Sequence, residues 1–163
     1  MTARKCFRVL LWTAFVIYVF VVFSILFLGG RNGMIYEESF WEYLRHAVNP
    51  IPFKTIWGYV TDVIEQRWMV RLAVRNVLGN FILFYPMGFF LPCLSKRVRT
   101  VRKSLLISLC TILAAEIVQL IFRLGIFDID DLILNMTGWL FGYFTLSIPL
   151  LRKRMRKIYF LED

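Results

Sequence analysis

Residues 7–28, 72–94, 105–123 and 132–151 form four long apolar stretches, and these limit the fold more than anything else in the chain. At about 1.5 Å of rise per residue, each is long enough as a helix to cross the roughly 30 Å hydrocarbon core of a bilayer. Strands are excluded, because the stretches are too long and lack alternation of apolar and polar residues. The chain is 59% hydrophobic and only 19% charged, against about 45–50% and 25% in a soluble domain. Its mean hydropathy is +0.64. The expected fold is all-α: a polytopic bundle of four transmembrane helices in a single membrane domain, residues 1–163, with a structured outer loop carrying short interfacial helices. The first stretch exceeds the apolar core of a cleaved signal peptide and lacks a small-x-small site after it. Gly29 and Gly30 close it like a helix stop, so it reads as a signal anchor.

The basic residues orient the bundle. Arg4, Lys5 and Arg8 precede the first stretch; Lys96, Arg97, Arg99, Arg102 and Lys103 fill the link after the second; Arg152, Lys153, Arg154, Arg156 and Lys157 follow the fourth. With consecutive spans, all these clusters fall on one side, and basic residues stay cytoplasmic. Both termini and the middle basic link are therefore expected on the cytoplasmic side of a multi-pass cell-membrane protein. The long link, residues 31–71, and the acidic link with Asp128, Asp130 and Asp131 face outward. The net charge of +9 then reflects topology and anionic lipid head groups. Nucleic acid is excluded as a partner, since no aromatic residues interleave with the basic clusters to stack on bases. Cys6, Cys93 and Cys110 show neither metal-ligand spacing nor a place in the outer links, and read as packing residues. No metal or other cofactor is expected.

The outer link has local structure of its own. Ser39 and Glu42 have capping-box spacing and predict a short helix. Pro50 and Pro52 make residues 49–55 a rigid turn. Ile56, Trp57, Val60, Val63 and Ile64 then recur at helical spacing opposite Thr61, Asp62, Glu65 and Gln66. This predicts an amphipathic helix at the outer interface, with Trp57 and Trp68 as belt residues. His46 reads as a solvated residue.

Polar residues interrupt three of the stretches. Asn76 and Asn80 lie four apart in the second, beside Arg75; Glu116 and Gln119 lie three apart in the third; Asp131 and Asn135 lie four apart at the start of the fourth, with Asp128 just before them. Each pair shares a helix face. The deduced topology puts all of them in the outer half of the membrane and nothing comparable in the inner half. That predicts one polar cavity rather than a path through the bilayer. Gly138 and Gly142 allow close helix approach on the face of Asp131 and Asn135, while Gly79, Pro86 and Gly88 can bend or loosen the second span. The amides could serve as interhelical hydrogen bonders, and Arg75 could snorkel to head groups. Asp130 reads as a solvated loop residue with helix-capping duty. Glu116 needs a partner such as Arg75 or Arg123, or a neutral form.

These same residues carry a resemblance. Asn76-Val77-Leu78-Gly79-Asn80-Phe81-Ile82-Leu83-Phe84-Tyr85-Pro86-Met87-Gly88 resembles the first signature of the VanZ-like family. Glu116-Ile117-Val118-Gln119, Asp128-Ile129-Asp130-Asp131, and Asn135-Met136-Thr137-Gly138 with Gly142 resemble its second. Asn49-Pro50-Ile51-Pro52-Phe53-Lys54-Thr55-Ile56 resembles a loop motif that precedes both. Arg123, separated from Ile126 by Leu124 and Gly125, departs from the family spacing and is not carried over. The resemblance covers residues 49–144. It implies a small bacterial membrane protein whose founding relatives are associated with resistance to glycopeptide antibiotics, chiefly lipid-bearing teicoplanin.

The leading expectation is therefore a protein that confers or modulates lipoglycopeptide resistance without a recognised catalytic motif. Its ligand-binding residues are expected to be Arg75, Asn76, Asn80, Glu116, Gln119, Asp128, Asp131 and Asn135. Membrane lipids, and a lipoglycopeptide or lipid-linked envelope precursor, are the expected partners. Two alternatives stand beside it. One is an enzyme acting on a lipid-linked envelope substrate, with Glu116 and Asp131 dividing acid and base work. The other is a lipid transporter.

Overall fold

The computed structural model describes residues 3–28, 39–65 and 70–149. Gly29 and Gly30, Trp68 and the basic cluster at 152–157 lie outside the described residues. The chain is mainly helical. Helix α1 spans Ala3–Phe23 and ends in a π-helical turn, Ser24–Leu28. The outer link supplies α2 (Phe40–His46), the two-residue strand β1 (Val48–Asn49) and α3 (Lys54–Glu65). Then follow α4 (Val70–Leu94), a 3-10 turn at Lys96–Val98, and α5 (Val101–Ile121). Strand β2 (Phe127–Asp128) leads into α6 (Ile129–Thr145).

Among the described residues, Lys5–Leu28, Val70–Leu94 and Val101–Ile121 are long and apolar enough to cross a membrane. The fourth stretch differs from its expected bounds. Its helix starts earlier, at Ile129, because Asp128 caps it and accepts the Asp130 N–H at 2.9 Å. It also ends earlier, at Thr145, where Leu146 caps it, a length of 17 residues.

The closest packing is between α4 and α6. A Cβ on Gly138 would lie 1.9 Å from the Phe81 carbonyl oxygen, one on Gly142 the same distance from that of Tyr85, and one on Gly88 2.0 Å from that of Trp139. The two backbones touch, as small residues in membrane helices permit. Gly88 is thus a contact residue, not a loosening one, and α4 runs unbroken through Pro86 and Pro92. Gly79, by contrast, has nothing within 4 Å of a Cβ placed on it. Helix α1 leans on the far end of α4: Leu11 packs with Cys93, and the Tyr18 hydroxyl donates to the Leu83 carbonyl at 2.9 Å. Most of its apolar side chains remain exposed. Only Cys93 among the cysteines is buried; Cys6 and Cys110 are exposed and do not pack in a core.

Helix α5 buries Ser104, Ser108, Ile112 and Glu116 and exposes Leu106, Ile117 and Ile121. Residues four apart share a helix face, so this face carries three polar groups around Ile112 while many apolar side chains point away. That inversion suits a helix whose outer surroundings are lipid.

Candidate functional site

The outer link and the start of α6 are tied together by carboxylates. The turn after β1 places Phe53 at a φ of 65°, a left-handed conformation rare for a residue with a side chain. Its N–H donates to Asp130. The N–H groups of Thr55 and Ile56, in the first turn of α3, donate to the same carboxylate at 2.8 and 3.0 Å. These are donors that a helix start cannot satisfy internally. Asp128 accepts from the Thr55 hydroxyl and, at 3.3 Å, from the Asn49 side-chain amide. Parallel pairing of Val48 with Phe127 and Asn49 with Asp128 completes the clasp. Asp130 is wholly buried, so the expectation of a solvated loop residue is wrong. Its charge is accommodated because three backbone N–H groups converge on it.

Around this clasp lie the other expected residues. Asn80 donates to Asp131, linking α4 to α6. Asn76 donates to the Tyr59 hydroxyl, linking α4 to α3. Gln119 donates to the Leu26 carbonyl at 2.9 Å, in the last turn of the first helix, where carbonyls lack intrahelical partners. The polar residues of α4, α5 and α6 thus gather at the end of the bundle that also carries the outer link. Glu116 is buried one turn before Gln119, and it is not left unpaired there. Asn135 is buried one turn after Asp131, and its side-chain oxygen has no hydrogen-bond partner among the described residues. Arg75 is exposed on α4, off the face of Asn76 and Asn80, a position that fits snorkelling. Arg123 stacks its guanidinium over the rings of Phe40 and Tyr43, at 5.8 and 5.4 Å. Tyr43 in turn donates to the Gly125 carbonyl at 2.5 Å. Arg123 therefore holds α2 against the α5–α6 link. Among the described residues, no three His, Cys, Asp or Glu side chains come together as a metal site.

A family model described as VanZ/LLP1 matches residues 15–152. The chain belongs to the VanZ/LLP1 family. No curated protein and no solved structure matches it. Membership, together with the long apolar helices, makes it a VanZ-like membrane protein. The matched region takes in every residue of the VanZ-like motifs and the second part of α1, from residue 15.

The structure also adds residues that the motifs did not flag for a site. Trp139 of α6 is fully buried and donates its indole N–H to Ser104 of α5 at 3.2 Å. Ser108, also fully buried, has a hydroxyl without a partner among the described residues. The expectation that polar groups are confined to one end of the bundle therefore needs correcting: a buried seam continues along α5 from Glu116 to Ser104. Its signal in the sequence is the placement of Ser104, Ser108 and Glu116 four and eight residues apart, on one helix face with Ile112 between the last two. Tyr59 is likewise new, since a tyrosine in an amphipathic helix is ordinary, while Thr55 belongs to the loop motif but had no site role assigned to it.

Proposed function

We propose that this VanZ/LLP1 membrane protein binds the polar part of an envelope amphiphile and thereby modulates resistance to lipoglycopeptides such as teicoplanin. The amphiphile is an envelope lipid or the drug itself. The observation that carries this reading is the gathering of Asn76, Asn80, Gln119 and Asp131 as half-buried groups, backed by buried Glu116 and Asn135. Such groups are expensive in hydrocarbon and usually serve function. The amides orient the ligand's hydroxyl and amide groups, and Glu116 and Asp131 supply charge. Asp128 and Asp130 frame the site instead of contacting ligand, since both are buried and each already accepts from several internal donors.

In this reading α6 and the residues beyond it form the fourth span. The basic clusters put both termini in the cytoplasm of a bacterium, which places the polar end in the outer leaflet. Helix α3 then lies at the outer interface, and its exposed Trp57, Val60 and Ile64 meet lipid. The test is Glu116→Gln, expressed at the same membrane abundance as the parent protein. Teicoplanin tolerance is expected to fall about tenfold, as for loss of a charge-assisted contact; unchanged tolerance would remove Glu116 from the site.

A further inference from the structure

A second site lies where α1 meets the end of α4, away from the polar gathering. A pocket of about 410 Å³ is lined by Arg8 of α1, by Cys93 near the end of α4, and by Ser95, Lys96, Arg97 and Arg99 of the link that follows. Four cationic side chains thus face one space, with no carboxylate in its lining. The C-terminal carbonyls of α4 account for Lys96 and Arg97, because cations are favoured at that end of a helix. They do not account for Arg8, which comes from another helix. Nor do they account for Arg99, whose Nε is buried with no hydrogen-bond partner among the described residues. Arg99 is held in place through its main chain, since Tyr143 donates to its carbonyl at 2.6 Å. The packing of Leu11 on Cys93 brings Arg8 to the same place. A guanidinium in this position matches the oxygens of a phosphate.

Arg8 also borders a mainly apolar groove of about 660 Å³ along α1, lined by Val9, Trp12, Val16 and Ile17, all exposed, together with Lys5 and Thr13. A ligand with its phosphate in the pocket has an apolar path for its chains beside it. We infer that this pocket binds the phosphate of an anionic phospholipid, whose acyl chain runs along the α1 groove. The inference rests on the membrane character of the protein and not on the polar end, so either can fail alone.

The test is a titration of the purified full-length protein in detergent, followed by native mass spectrometry. Phosphatidylglycerol and phosphatidylcholine with the same chains are the probes. The unmodified protein is expected to bind phosphatidylglycerol about tenfold more tightly, and Arg97→Gln/Arg99→Gln to abolish that preference. Arg102→Gln/Lys103→Gln removes the same charge outside the pocket and is expected to retain the preference. Equal binding of the two lipids, or equal loss in both double variants, would overturn the inference, since diffuse attraction would then suffice. Displacement of the lipid by millimolar inorganic phosphate would also overturn it, by showing a site for soluble anions. If Arg97→Gln/Arg99→Gln does not fold, as judged by circular dichroism, Arg8→Gln at its exposed position decides. A preference reduced by about half supports the site and an unchanged one overturns it.

Discussion

Helix α6 is held in two different ways along its length. At its start, Asp128, Asp130 and Asp131 use directional hydrogen bonds to reach the outer link and α4. In its second half, Gly138 and Gly142 use the absence of a side chain to lay backbone on backbone. The first kind of fastening depends on charge and on donors far away in sequence. The second depends only on shape. A membrane protein has little hydrophobic drive between helices, because lipid is as apolar as the side chains themselves. Both fastenings work without it, one by satisfying groups that would otherwise be unsolvated and one by dispersion at short range.

The largest expected effect comes from breaking the first fastening. Asp130→Ala leaves the N–H groups of Phe53, Thr55 and Ile56 without their acceptor. A loss on the order of 2–4 kcal/mol is expected, less than the about 1–3 kcal/mol per fully buried donor would sum to, because the three bonds are only part-buried. Denaturant melts followed by circular dichroism in micelles would read it, and a change below about 1 kcal/mol would show that the clasp is incidental. Next in size is the second fastening. Gly138→Ala forces a methyl group onto the Phe81 carbonyl, and the usual cost of overpacking is about 1–3 kcal/mol. Gly79→Ala sharpens that comparison, because the open space around Gly79 leaves only the helix preference of alanine, a gain of about 0.5–1 kcal/mol. Opposite signs in the same melt are the expected outcome.

The smallest effect lies at the edge of the link, in the capping box of α2. The Ser39 N–H, and secondarily its hydroxyl, hold the Glu42 carboxyl below its usual value of 4.5. A group with a lowered folded value adds stability above its unfolded value and loses it as pH falls through the folded one. Amide protection in α2, relative to the intrinsic exchange rate at each pH, is therefore expected to fall below pH 4.5, and Glu42→Gln to remove that pH dependence while leaving α6 unaffected.

These two fastenings were not equally legible. Glycines four apart on one apolar stretch announce close approach, and Asn80 and Asp131 announced themselves by cost. The role of Asp130 could not be read, because its partners lie 74 to 77 residues away and a local pattern contains no information about them. Three acids in a short link look solvated until the donors arrive. Ser104 and Ser108 were passed over because a serine barely lowers the hydropathy of an apolar helix. Gly88 was misread for a related reason: a glycine in a helix signals both freedom and contact, and only the neighbouring backbone of α6 decides which. The capping box of α2 and the amphipathic pattern of α3 were legible, since both arise from residues within a few positions of one another.

The distance between Asp130 and its donors also sets a schedule for making the protein. The segment containing Phe53, Thr55 and Ile56 leaves the ribosome long before its acceptor does. With 75 residues between Thr55 and Asp130, and synthesis at about 5–20 residues per second, the delay is about 4–15 s. During that interval the segment has no lock, and the first helices are already being threaded into the bilayer. The clasp is consequently a late latch: it closes only after α4 and α5 have been delivered, and a chain stalled before α6 leaves the outer link unfastened and open to quality-control proteases.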